Sequence, residues 1–269
     1  MTTRSPLPRL HAPVHPVADV QLRGRAGPLA TRVHWPAPPT HPLRPPLLVF
    51  LAGAGARSGD RALDDADALC FSLCRHAGVV VLAVSPRPAS AGVEAPALED
   101  GITATAWAAD HAGELGADPR RLAVAGEGRG AGVAAAVALH ARDAGWPALT
   151  RQVLIRPDMG AAPIPGPSAG PDPLALRRDE RPLAGVAPAT VIVAGDGGPH
   201  PDGGRRYAAR LRHAGVEVEV LRDDGGPQGD VAPPGGRGDD RMVVELARSL
   251  RHALGAPPTG QGPRGEVPA

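Results

Sequence analysis

The stretch that decides the fold is Leu122–Gly130, which reads LAVAGEGRG and leads directly into a long run of Ala, Val and Leu. Its first four residues are a continuous apolar run, which is typical of a strand buried on both faces of a parallel sheet. Three glycines at alternate positions follow and predict a sharp turn. The helix predicted after this turn covers Ala131–Ala144 and ends at Gly145.

Strands and helices alternate on both sides of this unit. Such alternation predicts an α/β fold, with a mostly parallel sheet that is covered by helices on both faces. The first two strands are joined by a Gly-Pro turn, and we expect them to pair antiparallel at one edge. The predicted strands are Val17–Leu22, Thr31–Trp35, Leu47–Leu51, Val79–Val84, Leu122–Ala125, Val153–Ile155, Thr190–Ala194 and Val216–Leu221, and the predicted helices are Asp60–His76, Leu98–Leu115, Ala131–Ala144, Gly204–His213 and Asp239–Leu254.

The domain organisation is predicted to be simple. A chain of 269 residues is long enough for one large α/β domain, which we place at residues 17–256. Residues 1–16 and 257–269 are rich in Pro and are expected to be flexible tails. Residues 159–188 are dense in Pro and Gly and are interpreted as one irregular connection rather than a second domain.

Composition excludes several classes of function. The net charge is +1 and the basic residues, all arginine, are scattered, whereas nucleic-acid-binding proteins concentrate basic charge on one face. Cys70 and Cys74 share one face of a predicted helix, and we interpret them as core residues because a metal site needs more ligands nearby. No signal peptide or membrane span is visible in the sequence. We expect a cytoplasmic protein with no cofactor, no metal and no nucleic-acid or membrane partner; its oligomeric state stays open.

Several motifs resemble the α/β-hydrolase family, in particular its hormone-sensitive-lipase-like esterase/lipase branch. The turn G-E-G-R-G at residues 126–130 is similar to the family's nucleophile elbow, G-x-S-x-G. Residues 51–60 resemble its H-G-G-G loop, residues 116–122 its approach to the elbow strand, and residues 195–207 the loop and helix that carry its acid. The resemblance implies an α/β-hydrolase fold and ester hydrolysis by a Ser-His-Asp triad. We expect a reduced lid, because the N-terminal stretch and residues 159–188 are too short and too rich in Pro to build much of the cap that covers the site in the family.

The three triad positions hold other residues. Aligned on these motifs, Gly128 stands at the serine, Gly198 at the aspartate and Gln228 at the histidine. No histidine occurs between Leu221 and the last predicted helix. Removing the triad of a serine protease costs on the order of 10⁶ in kcat. From this pattern we expect no catalytic residues, and a pseudo-hydrolase that binds a ligand or a partner.

The old pocket is nevertheless expected to bind a small carbonyl or carboxylate ligand. Backbone N–H groups of the oxyanion loop and of the helix after the elbow are natural donors to such a group. Glu127 and Arg129 flank the turn, and their side chains are expected to diverge. His200 lies on a loop at the carboxyl edge of the sheet, where α/β folds bind ligands. The predicted ligand-binding residues are Gly53, Ala54, Gly55, Glu127, Arg129 and His200.

Alternative interpretations remain open. One is a hydrolase or non-hydrolytic enzyme on the same fold that uses non-standard residues, with Glu127 and His200 as the first to mutate, because a carboxylate can act as base or nucleophile. Another is an esterase with Ser168 as nucleophile, although its G-P-S-A-G motif has no strand before it. Turn and capping roles are expected for Ser58 and for four aspartates whose clustering also suggests a metal site: Asp202, Asp223, Asp224 and Asp230.

Overall fold

The computed structural model describes residues 16–25, 27–37, 43–53, 59–87, 95–159, 182–194, 201–223 and 239–255. They form one eight-stranded sheet with the order β1-β2-β4-β3-β5-β6-β7-β8. The strands are β1 (Val17–Gly24), β2 (Gly27–His34), β3 (Pro46–Leu51), β4 (Val80–Val84), β5 (Asp118–Glu127), β6 (Arg151–Ile155), β7 (Ala189–Ala194) and β8 (Val218–Asp223). The helices are α1 (Asp60–Ala77), α2 (Ala95–His111), α3 (Arg129–Ala144), α4 (Pro201–His213) and α5 (Asp239–Leu254).

The sheet confirms the predicted α/β architecture. Strands β3 to β8 are mutually parallel, and β1 and β2 pair antiparallel at one edge. The predicted tails lie outside the described residues, apart from Pro16, and so does most of the connection at residues 159–188. No described helix is long and apolar enough to cross a membrane.

Several element boundaries differ from the predictions because polar residues extend the strands. Strand β6 begins at Arg151, and Gln152 beside it is fully buried, since both pair with neighbouring strands. Strand β8 ends at Asp223 rather than Leu221, because Arg222 and Asp223 continue the ladder with β7. The difference matters for function, since it puts the Asp223 carboxylate at the carboxyl edge of the sheet as part of a strand.

The hydrophobic core has two parts, one on each face of the sheet. Helices α2, α3 and α4 pack against side chains such as Val49 and Leu51, and α1 and α5 pack against Leu48 and Phe50. Both cysteines are buried in the second part. Burial raises the pKa of the Cys74 thiol to about 12 and that of Cys70 well above its ordinary value, so both pack as small apolar side chains.

Candidate active site

The turn between β5 and α3 has the backbone geometry of a nucleophile elbow. Its central residue, Gly128, has φ 54° and ψ −118°. A side chain at positive φ costs roughly 1–2 kcal/mol, and glycine avoids this cost. The Gly128 N–H donates to the Ile155 carbonyl at 2.9 Å, and the Asp158 N–H donates to the Gly128 carbonyl at 2.9 Å. The turn is therefore held in place by the segment that ends β6.

The two outer glycines of the motif allow the backbone to pack closely. A Cβ on Gly126 would lie 2.3 Å from the Gly130 carbonyl carbon and oxygen. A Cβ on Gly130 would lie 2.2 Å from the Leu51 carbonyl oxygen at the end of β3. Only glycine permits these approaches, which bring the first turn of α3 against β5 and against the loop after β3.

The loop after β3 brings the Gly53 backbone next to the elbow. Ala52 donates its N–H to the Val84 carbonyl at 2.8 Å, and Gly53 follows with φ 61°. A Cβ on Gly130 would lie 3.8 Å from the Gly53 nitrogen, so this backbone amide lies next to the start of α3. Among the other predicted loop positions, Ala54, Gly55 and Ser58 lie outside the described residues.

A guanidinium joins two carboxylates beside the elbow. Arg156 follows β6 directly, and its Nη1 donates to Asp223 Oδ2 at 3.2 Å. Its Nη2 donates to Glu127 Oε1, at the end of β5. The side chains of Arg156 and Asp223 are 7% and 4% exposed, whereas that of Glu127 is 25% exposed. Glu127 is therefore the most accessible member of this Glu127–Arg156–Asp223 cluster.

The predicted divergence of the residues that flank the turn is what the structure shows. The Glu127 side chain pairs with Arg156 and lies on the face of the sheet that Ala123 and Ala125 share with α1 and α5. Arg129 is exposed in the first turn of α3. Sequence reasoning missed Arg156, whose only local signal is an arginine between an apolar strand and a proline. It treated Asp223 as a turn residue.

The other predicted site residues are not brought to this place by the described part of the chain. His200, Gly198, Gln228, Ser168, Asp224 and Asp230 lie outside the described residues, as does the side chain of Asp202. Among the residues that are described, no group of three His, Cys, Asp or Glu side chains is placed to hold a metal. The described histidines are His34 in β2, beside the start of β4, His140 on the surface of α3, and His76, His111, His213 and His252 in the last turns of helices.

Comparisons with known proteins agree with this architecture. A sequence profile for the alpha/beta hydrolase fold matches residues 48–172. Esterase LipI of Mycobacterium tuberculosis is 36% identical, with 80% of this chain and 75% of the relative aligned. The chain belongs to the α/β-hydrolase fold family. Ethyl acetate hydrolase of Pseudomonas putida is 32% identical, with 76% of this chain and 72% of that protein aligned.

Solved esterase structures show the same fold in this family. The crystal structure of esterase LipW from Mycobacterium marinum has a TM-score of 0.75 at 28% identity, over 89% of this chain and 82% of that one. A hyperthermophilic esterase from Pyrobaculum calidifontis has a TM-score of 0.75 at 28% identity, over 90% and 87% of the two chains. These relatives support the esterase/lipase branch indicated by the motifs.

The expectation of a non-catalytic pseudo-hydrolase is wrong. Relatives up to 36% identical are named esterases or carboxylic ester hydrolases, and similar solved structures from Mycobacterium marinum and Pyrobaculum calidifontis are esterases as well. These findings favour an active hydrolase, which the sequence analysis kept as an alternative that uses non-standard residues. The physical reason for the error is that the missing triad side chains were equated with missing chemistry, although the Glu127 carboxylate lies beside the elbow and binds a guanidinium that also binds Asp223 on β8.

Proposed function

We propose that the protein is a carboxylic ester hydrolase that activates water directly, with Glu127 as general base. The observation that carries this proposal is the Glu127 carboxylate, which directly precedes an intact elbow and is accessible while its two charged partners are buried. The family and the names of the relatives support an ester as substrate. Because Gly128 has no hydroxyl, the route avoids a serine acyl-enzyme.

The hydrolytic step balances with water as the nucleophile. Glu127 takes a proton from a water molecule as its oxygen attacks the ester carbonyl, and a tetrahedral oxyanion forms. Backbone N–H groups at the start of α3 and at Gly53 are the donors nearest the elbow, and donors of this kind stabilise a developing oxyanion. Collapse of the intermediate breaks the bond to the alkoxide, which takes back the proton from Glu127 and leaves as the alcohol.

The glycine at the elbow has a positive role in this route. Gly128 keeps the strained turn without a side chain of its own, so in the proposed route water and the ester carbonyl take the place of a serine hydroxyl. Its positive φ also suits glycine better than any other residue. The backbone geometry that presents a serine in a nucleophile elbow is therefore kept here without the nucleophile.

Steady-state hydrolysis of p-nitrophenyl acetate tests the proposal. Purified protein is expected to exceed a heat-denatured control, and Glu127→Gln is expected to lower kcat/KM by roughly 10²-fold, the lower range for loss of a general base. The matched control is Glu217→Gln, which removes a carboxylate that is 71% exposed and pairs with an arginine at the opposite edge of the sheet. Equal rates for wild type and Glu127→Gln would overturn the assignment of Glu127.

A further inference from the structure

We infer that Arg156, anchored by Asp223, is a positioning residue that holds the Glu127 carboxylate for reaction. The inference rests on the proposed function and adds a role for two residues in the same site. It starts from the backbone: Arg156 has φ 44°, and it is the only non-glycine residue with positive φ in the described part of the chain. Such a conformation is sterically unfavourable for a residue with a side chain and persists only where the surroundings impose it.

The surroundings of Arg156 do impose this conformation. Its N–H donates to the Ile192 carbonyl of β7 at 2.8 Å, and two residues later the Asp158 N–H donates to the Gly128 carbonyl. The segment after β6 is thus tied both to the sheet and to the elbow. The strained bend directs the guanidinium along the carboxyl edge, where it reaches Glu127 on β5 and Asp223 on β8, which lies beyond β7.

The two carboxylates that bind Arg156 differ in burial, and we infer a different role for each. Asp223 is almost completely buried and binds Nη1, and this contact restrains the orientation of the guanidinium plane. Nη2 is left to bind one oxygen of Glu127, and the carboxylate keeps a second oxygen that can take a proton. A planar guanidinium can hold two carboxylates at fixed angles, whereas a lysine ammonium acts as a point charge and fixes neither. Arg156 therefore sets the orientation of Glu127.

The test compares Arg156→Lys, Arg156→Ala and Asp223→Asn with Arg151→Met, which removes the other buried arginine of β6 at the amino edge. With p-nitrophenyl acetate, the Arg156 variants are expected to lower kcat by about tenfold to a hundredfold with little change in KM, because orientation of the base is lost while substrate binding is kept. Asp223→Asn is expected to lower kcat by less, in the same direction. Arg151→Met is expected to keep kcat per folded molecule.

Chemical rescue separates positioning from simple structural damage. Guanidinium chloride at millimolar, non-denaturing concentration is expected to restore part of the kcat of Arg156→Ala and none of the kcat of Glu127→Gln. Thermal unfolding of each variant establishes the folded fraction. An unchanged kcat in folded Arg156→Lys, or an equal fall of kcat in Arg151→Met, would overturn the inference.

A measurement without substrate distinguishes failure of this inference from failure of the proposed function. A double-mutant cycle of Glu127→Gln and Arg156→Ala on thermal stability is expected to be non-additive, since the two side chains are in contact. Additive shifts would overturn the positioning role and leave ester hydrolysis to be judged on Glu127→Gln alone. Non-additive shifts in a protein with no hydrolysis would instead overturn the proposed function, and with it the catalytic role of the contact.

Discussion

Strand β6 has a buried arginine at each end, and the two ends differ in what surrounds the guanidinium. At the amino edge, Arg151 donates to Glu217 at 2.8 Å and to the Thr190 hydroxyl at 3.2 Å. The Glu217 side chain is 71% exposed, and the Thr190 hydroxyl lies 3.1 Å from that of Ser249. Because the Ser249 hydroxyl donates in turn to Glu219, Arg151 belongs to a network of two hydroxyls and two exposed carboxylates, on regular strand backbone.

At the carboxyl edge, Arg156 has a strained backbone and two carboxylate partners, one of them fully enclosed. Both guanidinium groups are buried, but only Arg156 has a strained backbone and a carboxylate partner that is itself buried, beside a turn that resembles a nucleophile elbow. Backbone strain clusters at functional sites, whereas an ion pair on regular strand backbone is an ordinary structural feature. We therefore interpret the Arg151 network, at the amino edge, as stabilising the fold, and the Arg156 cluster, at the carboxyl edge, as part of the proposed active site.

The largest difference in stability between the two edges is expected when a glycine near each edge is replaced by alanine, which adds a methyl group. Gly130→Ala places a Cβ 2.2 Å from the Leu51 carbonyl, where backbone would have to move, and we expect a loss of at least about 3 kcal/mol in unfolding free energy, at the upper end of overpacking. Gly113→Ala, near the amino edge, meets only the Arg44 guanidinium at 3.4 Å and is expected to stay within about 0.5 kcal/mol. Urea unfolding measures both, and equal losses would remove the distinction between the edges.

The next effect is expected from removal of each arginine. Arg156→Met breaks the ion pair between the guanidinium and the buried Asp223 carboxylate, and breaking such a pair costs roughly 3–5 kcal/mol. Arg151→Met leaves Glu217 in solvent and Thr190 with its Ser249 partner, so the cost is expected near 1–3 kcal/mol, as for a lost buried hydrogen bond. Chemical denaturation of the two variants checks the order; a larger loss at Arg151 would contradict it.

A smaller effect on stability is expected from alanine at two glycines with positive φ, and it distinguishes backbone strain from loss of catalysis. Gly128 and Gly145 both have positive φ, 54° and 71°, at the two ends of α3. An alanine at either position is expected to cost roughly 1–2 kcal/mol of stability through backbone strain. Only Gly128→Ala also fills the space above the elbow, so only this variant is expected to lose ester hydrolysis per folded molecule. Equal activity in the two variants would show that the elbow does not contact the substrate.

The smallest expected effect is the pH dependence of stability that Asp118 contributes at the amino edge of the sheet, where β5 begins. Burial alone would raise the pKa of Asp118, but the Arg120 N–H and the Arg121 guanidinium outweigh it and lower the pKa below 3.8. A depressed carboxylate pKa stabilises the fold above the unfolded pKa, and this stabilisation is lost as pH falls through the folded pKa. Asp118→Asn is expected to cost less than about 1 kcal/mol at pH 7.

The same variant should behave like the wild type once the carboxyl is protonated. Urea unfolding at pH 7 and below pH 3.8 checks this convergence. A cost that persists undiminished at the lower pH would mean that Asp118 acts through its shape or its neutral hydrogen bonds rather than its charge.

Much of the fold could be predicted because its signals are local. The apolar run before Gly126, the alternate glycines and the Ala-rich helix determine strand, turn and helix without reference to the rest of the chain. The carboxylate cluster could not be predicted in this way. Its members come from β5, β6 and β8, and their contact depends on strand order, on a β8 boundary displaced by two polar residues, and on the positive φ of Arg156.

Function was harder to predict than fold for a related reason. The sequence shows Gly128 at the centre of the G-E-G-R-G motif. A motif match considers each position separately, however, and does not reveal contacts between residues far apart in the chain. Glu127 was recognised as a candidate base, yet the residues that hold it were not. A general base needs both a carboxylate and a group that orients it, and the second requirement is met by residues far apart in the chain.

With Gly128 at the elbow and Glu127 as general base, we expect this chain to hydrolyse esters without an acyl-enzyme. Rapid-mixing measurement of p-nitrophenol release from p-nitrophenyl acetate tests it most directly, because an accumulating acyl-enzyme produces a burst equal to the enzyme concentration. Direct attack by water predicts a linear time course without a burst, at a rate above that of heat-denatured protein, and a roughly 10²-fold slower rate for Glu127→Gln. A stoichiometric burst, or a rate no higher than that of the denatured protein, would contradict it.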